Sequence, residues 1–239
     1  ADAVLLTSSF PNKEAAARLA FLTGAGLVVD ASALHDDGTH LVADKRVFAG
    51  SWDVRSEILT DPAVLTLRAN SVVPQPADAA VATEVEALRV ELTPAATAAR
   101  VVTRTVDASA GAGRPALGEA AIVVAGGRGT NGDFAPVVDL ADALGAAVGA
   151  TRDAVYEGWH DQFVGQTGVT VAPRVYIGAG ISGAPHHRGG MQASQVIVAV
   201  NNDPECPLFE ISDFAVVGDL ADVLPQAAEV LREHRASQG

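Results

Sequence analysis

The sequence predicts an α/β protein: a doubly wound parallel sheet in the C-terminal half, preceded by a partial α/β domain. Two observations carry this. Beyond residue 116, strand-length runs of Val, Ile and Ala alternate with helical patterns. Those runs are apolar along their whole length, as in parallel strands covered by helices on both faces. Residues 164–203 concentrate the signal. Two strand-like runs there, 174–179 and 195–200, each end in a turn built from Gly, Ser, Asn or Asp.

In chain order, residues 3–6 read as a buried strand and 13–22 as an amphipathic helix. Ser9-Phe10-Pro11-Asn12 opens that helix, Gly24 and Gly26 close it, and 27–30 forms the next strand. An opening directly on an apolar strand leaves few partners for it, so an upstream half is expected to be absent or supplied by another chain. Residues 40–49 and 64–68 read as strands around the turns Asp36-Asp37-Gly38 and Asp61-Pro62, and 52–59 as a short helix or irregular linker. Pro74 and Pro76 make 72–82 a loop, and alternation makes 84–92 and 99–106 half-buried strands. The small, turn-rich stretch 108–115 is the expected boundary, with domains at 1–107 and 116–239. The second domain then runs strand 121–125, helix 133–144, strand 146–150 and helical turn 153–158. After the strands 174–179 and 195–200 come strand 214–217 and helix 219–234.

The totals restrict the function. With 239 residues, 49% of them apolar, the chain can bury a full core. A net charge of −13 and no basic stripe argue against nucleic acid as partner. The single cysteine, Cys206, forbids an internal disulfide. No apolar run approaches the ~20 residues that span a bilayer, and the first residues lack the charged region of a secretion signal. A soluble, cytoplasmic protein without stable membrane insertion is expected.

Ligands of open parallel sheets sit beyond the carboxyl ends of the strands, so the strand ends hold the candidates. After 121–125 come Gly127, Gly129 and Gly132, a literal G-x-G-x-x-G. A dinucleotide site normally adds an acidic residue at the second strand end, where this chain has Thr151-Arg152. An arginine there suits a 2′-phosphate, so an NADP-type site stays open. At the first turn of a helix Arg152 opposes the helix dipole, which favours a functional role over a surface one. Gly178-Ala179-Gly180-Ile181-Ser182-Gly183 leads from a strand into a short helix through His186 and His187. Backbone N–H groups and the Ser182 hydroxyl there suit a phosphate, although such a turn also serves as a plain connection. Two adjacent histidines without partners at metal spacing do not make a zinc site. Gln166-Thr167-Gly168 and Asn201-Asn202-Asp203 are polar turns, Asp219 reads as a helix N-cap, and Cys206 as inert packing.

Assembled, these residues resemble the α subunit of electron-transfer flavoproteins. The similarity runs from Ala121 nearly to the end, through AAIVVAGGRG, GAAVGATRDAV, VGQTG, YIGAGISGAPHH, GGMQAS and VIVAVNNDPECPLFEISDFAVVGDLADVLPQ. VGQTG followed by GISGA, a histidine and then NxD is its most specific part; residues 1–106 resemble the later part of the same subunit's first domain. The resemblance implies one FAD, held mainly by the second domain, and a partner β subunit that carries AMP. It places Arg128, Thr151, Arg152, Val164, Gly165, Gln166 and Thr167 at the FAD, together with Ser182, Gly183, Ala184, His186, His187, Asn201, Asp219 and Leu220. Within that set it implies Arg152 over the isoalloxazine, Thr167 near N5 and His187 near the N1/O2 edge. Ser182 would meet the pyrophosphate, and Asn201 and Asp219 the adenosine end. The implied role is a heterodimeric electron carrier, rather than a substrate-transforming enzyme. It would link flavin dehydrogenases, such as those of fatty acid β-oxidation acting on acyl-CoA, to a quinone-linked oxidoreductase. Departures from the family pattern are Thr151 for serine, Phe163 for glutamine, Pro185-His186 for Ile-Gln and Arg188 for leucine. The rival readings are an NADP-dependent oxidoreductase built on Gly127–Gly132 and a flavin-free assembly subunit of the same fold.

Overall fold

A computed structural model describes residues 2–48, 51–72, 85–104 and 113–238. The N-terminal part holds β1 (Ala3–Thr7), α1 (Phe10–Thr23), β2 (Gly26–Ala31), β3 (Ala33–Asp36), β4 (Leu41–Val47), β5 (Trp52–Ile58) and β6 (Ala63–Leu67). β1, β6 and β2 form a parallel sheet in that order, and β3, β4 and β5 an antiparallel one. The Ser9 hydroxyl caps α1 by accepting from Asn12 N–H at 3.3 Å, and Gly24, at φ 70°, closes it, as the sequence predicts.

The C-terminal part holds β7 (Ile122–Gly126), α2 (Ala135–Leu144), β8 (Ala147–Ala150), α3 (Arg152–Tyr156) and β9 (Val175–Ala179). α4 (Pro185–Met191), β10 (Val196–Asn201), β11 (Phe214–Val217) and α5 (Leu220–Gln238) complete it. All five strands pair in parallel, in the order β11-β10-β9-β7-β8. Strand side chains alternate between two cores. Val124, Val148, Ala179 and Val200 pack under α2 and α5, while Val123, Ala125, Tyr176 and Ile197 pack on the opposite face with Met191 of α4. The chain leaves β7 towards β8 and returns on β7's other side as β9. That reversal opens a crevice outside the carboxyl ends of β7 and β9.

Two expectations need correction. Residues 52–59 are not a helix or linker: β5 pairs antiparallel with β4 along its whole length. Asp53 and Arg55 find their counter-charges across the ladder, on Arg46 and Asp44, and nothing within the segment reveals those partners. The described parts of 84–92 and 99–106 form no strand and lie exposed, because their alternating residues face no second layer. Residues 84, 105 and 106 fall outside the described residues, as do most of the expected loop 72–82 and of the boundary 108–115. The strand expected at 40–49 is β4, and its hairpin partner β3 went unforeseen.

The two parts meet along a polar seam. Asn70 Nδ2 donates to the Glu119 and Ala120 carbonyls at 3.2 and 3.1 Å, and Arg46 donates to the Gln192 carbonyl at 3.1 Å. Beside it lies a cavity of about 570 Å³ whose lining includes Lys45, Arg55 and Arg68. It is the larger of the two main cavities but lies away from the crevice at β7 and β9. Among the described residues no helix is long and apolar enough to cross a membrane.

Candidate functional site

Above the crevice the turns after β7 and β9 are fused. Gly127 N–H donates to the Ala179 carbonyl at 2.9 Å and Gly129 N–H to the Gly180 carbonyl at 3.0 Å. A Cβ on Gly129 would stand 2.6 Å from Gly180 Cα, so both positions need glycine; Gly180 also has φ 61°. Two glycines of the literal G-x-G-x-x-G, Gly127 and Gly129, thus join two strand ends, while Gly132 lies against Trp159. A side chain on the second glycine, which a dinucleotide fingerprint keeps free for the pyrophosphate, would meet the Gly180 backbone.

A cavity of about 410 Å³ opens beside this joint, lined by Arg128, Thr151, Arg152, Ser182, Ala184, His186, His187 and Asn201 among others. A second, of about 190 Å³, shares Gly129, Gly180 and Asn201 with it and ends on Asp219 and Leu220. Eight of the fifteen residues expected at a ligand therefore line the first chamber, and two more the second. Val164, Gly165, Gln166, Thr167 and Gly183 line neither; they shape the loop and the turn next to it.

Each side chain has a local reason for its place. The Thr151 hydroxyl caps α3, accepting from Ala154 N–H at 3.5 Å, which leaves Arg152 exposed on the first helical residue. Arg128 pairs with Asp153 at 3.3 Å, both well exposed, so the pair adds little stability and both groups remain available to a ligand. Asn201 donates from Nδ2 to the Ile181 carbonyl (3.1 Å) and accepts Asp203 N–H (3.0 Å), fixing the β10 turn. Asp219 accepts Ala221 N–H at 2.9 Å at the head of α5, the capping role foreseen. Gly183, at φ 84°, lies against the Leu208 backbone. Its carbonyl accepts Arg188 Nε at 2.7 Å, and Arg188 also reaches the Pro207 carbonyl and Glu210. The unusual arginine is thus a brace for the Ser182–Gly183 turn. Phe163, the other departure, lines the first chamber and lays its ring against Gly165 and Gly168.

The two histidines diverge. His186 is exposed to the cavity, and its carbonyl accepts Gln166 N–H at 2.8 Å. His187 is only 6% exposed; its Nε2 lies 2.8 Å from the Tyr176 hydroxyl and its Nδ1 3.1 Å from the Val164 carbonyl. Burial pushes its pKa down to about 4, against a partly offsetting bond to that carbonyl. The sequence reading missed the lining residues Asp153, Ile181 and Asp203, and Tyr176, which lines neither chamber but contacts His187. The signal for Tyr176 was a phenol in a strand otherwise apolar, since a buried hydroxyl must find a partner.

The depressed His187 value fixes a sign. Between pH about 4 and about 6.5 the unfolded chain binds a proton at this residue that the folded chain does not, so stability rises with pH across that window. Above it the contribution is fully present; as pH falls from 6.5 to 4 it is lost, on the order of 3 kcal/mol in all. His187→Gln is expected to remove this slope in urea denaturation at stepped pH. An identical slope in both proteins would place the titration elsewhere.

The donor set fits an elongated, anionic dinucleotide. Two guanidinium groups, two hydroxyls (Thr151 and Ser182) and the carboxylates of Asp153 and Asp203 line one chamber, and the carboxylates of Asp133 and Asp219, suited to ribose hydroxyls, line the other.

Comparison with known proteins shows the family. Residues 116–192 match the electron transfer flavoprotein FAD-binding domain family, and residues 1–93 the electron transfer flavoprotein domain family. Three relatives illustrate the similarity, each described as electron transfer flavoprotein subunit alpha. The chain is 45% identical to that of Mycobacterium leprae over 98% of its own length and 72% of the relative's. It is 47% identical to that of Mycobacterium tuberculosis (97% and 72%) and 37% to that of Bacillus subtilis (97% and 71%).

Proposed function

As the chain belongs to the electron transfer flavoprotein α-subunit family, we propose that it holds one FAD in the paired chambers at the β7–β9 crevice. We further propose that it works as a heterodimer with a β subunit carrying AMP. In that form it passes electrons from flavin dehydrogenases, including acyl-CoA dehydrogenases, to a quinone-linked oxidoreductase, in the cytoplasm. Residues 116–239 are assigned to the flavin and 1–107 to contact with the partner.

The observation that carries the reading is the lining itself. Two arginines and two hydroxyls, with the carboxylates of Asp153 and Asp203 beside them, meet at the rim of a parallel sheet where its strand order reverses. When bound, FAD supplies the redox chemistry, and the protein supplies position and electrostatics. Arg128 and Arg152 are assigned to negative charge on the cofactor and Ser182 to its phosphates. Asp219 is assigned to ribose hydroxyls. Asn201 keeps the β10 turn in place at the waist between the chambers, and Phe163 and Ile181 close apolar walls that exclude water. Gln166 and Thr167, exposed on the adjacent loop, are assigned to the ring edge.

Co-expressed with its β partner and desalted, the protein is expected to show a flavin absorption spectrum with one FAD per α chain. A colourless protein that takes up no FAD from excess would overturn the proposal in favour of a flavin-free assembly role. A spectral response that requires NADPH binding to this chain alone would favour the NADP reading.

A further inference from the structure

We infer that the seam between the two parts of the chain is a second anion site, separate from the β7–β9 crevice. In it Lys45 and Arg68 grip the phosphoryl group of a small phosphomonoester or of inorganic phosphate.

The place obeys the same rule as the crevice. β1, β6 and β2 form a parallel sheet, and ligands of such sheets sit beyond the carboxyl ends of the strands. β6 ends at Leu67 and β2 at Ala31. The residues just past those ends, Arg68, Asn70 and Ser71 on one side and Ser32 and Ala33 on the other, line the seam cavity of about 570 Å³. A smaller cavity of about 290 Å³ adjoins it, and Lys45, Arg46 and Arg68 line both. Three cations therefore stand on the wall that the two cavities share. The larger one falls in the size range of small-molecule pockets, which leaves room for a sugar-sized group beside a phosphate.

Charge around the seam does not balance. The larger cavity has four cations, Lys45, Arg46, Arg55 and Arg68, against two carboxylates, Asp44 and Asp53. Each lining carboxylate is already matched: Asp44 by Arg55 at 2.8 Å, Asp53 by Arg46 at 2.9 Å, and Asp30 of the smaller cavity by Lys13 at 2.7 Å. Lys45 and Arg68 are half-buried. Among the described residues neither makes an ion pair or a side-chain hydrogen bond, and Arg68 acts on Asp30 only through space. Cations partly withdrawn from water without a counter-charge are unfavourable. A phosphoryl dianion supplies both missing charges, where a carboxylate would supply one. Arg68 offers it a planar fork and Lys45 a compact charge. This site does not depend on the flavin reading.

The test is calorimetric titration of the complex with the β partner, equilibrated with excess FAD and AMP so that other nucleotide sites are filled. The probes are inorganic phosphate and ribose 5-phosphate, at fixed ionic strength in chloride. Saturable binding of one probe molecule per α chain is expected. Tighter binding of ribose 5-phosphate would identify an ester as the occupant and equal binding inorganic phosphate, and either supports the site. Lys45→Met and Arg68→Gln are each expected to weaken binding about tenfold, and the double variant to lose it. Absence of saturable binding, or binding unaltered in both variants, would overturn the inference. So would absent binding joined to weaker association with the β partner in the variants, which would show an acidic segment of that partner in the seam. Should a variant fail to fold, a wild-type crystal soaked in phosphate decides: density between Lys45 and Arg68 supports the site, and none there overturns it.

Discussion

Gly190→Ala is expected to cost about 3 kcal/mol or more of stability and to abolish FAD retention. A Cβ there would stand 2.6 Å from Gly165 N and 2.5 Å from its carbonyl carbon, and it also overlaps Gly165 Cα. These are backbone atoms, and they cannot yield by a side-chain rotation. Neither partner is free to recoil, since Val164 N–H is tied to β8 and the Gly190 carbonyl to Val171 N–H. α4 must therefore move off the loop, which exceeds the usual 1–3 kcal/mol of overpacking. Gly118→Ala is the control: its Cβ would meet only Val169 Cγ1, at an ordinary 3.6 Å. Urea denaturation and FAD content after gel filtration would measure both. A Gly190→Ala protein as stable as Gly118→Ala would contradict the packing described.

The second large effect is electrostatic. Arg152→Ala is expected to lower the first-electron potential of bound FAD by on the order of 100 mV. A unit charge ~4 Å from another, at an effective dielectric of ~20, interacts by ~4 kcal/mol. For one electron this corresponds to roughly 170 mV, at about 59 mV per tenfold change. Arg152 is exposed, so solvent screening takes part of that away. Arg152→Lys keeps the charge and is expected to restore most of the potential, while losing the planar fork that pairs two acceptors at once. Spectroelectrochemical titration of the three proteins reads the effect. An unchanged potential in Arg152→Ala would remove Arg152 from the electrostatics of the site.

How far the sequence could be read depended on burial. The inner strands of the C-terminal sheet were legible because they are covered on both faces and so consist of unbroken apolar runs, such as residues 196–200, whereas the edge strand β11 is apolar but exposed. β5 was not legible, because its charges are balanced by β4 and its apolar side chains Trp52 and Val54 remain exposed. The described parts of 84–92 and 99–106 show the converse: alternation predicted strands there, but alternation stabilises a strand only where one side meets a core.

At the candidate site, Thr151, Arg152, Ser182, Asn201 and Asp219 could be found because they stand at or just beyond the ends of strands. Tyr176 could not, since it lies inside one. The glycines of Gly127–Gly132 remained ambiguous for a related reason. Their meaning lies in the contact of Gly129 with Gly180, across two turns far apart in sequence. Arg188 and Phe163, departures from the family pattern, also acquired roles only through remote contacts, with the Gly183 carbonyl and with Gly165 and Gly168.

A crystal structure of the chain with its β partner, grown with FAD, tests the central claim most directly. The expected result is cofactor density between Arg152 and Ser182, passing Asn201 and ending at Asp219. Density instead in the seam cavity beside Lys45 and Arg68, or a flavin-loaded complex with nothing at the β7–β9 rim, would contradict it.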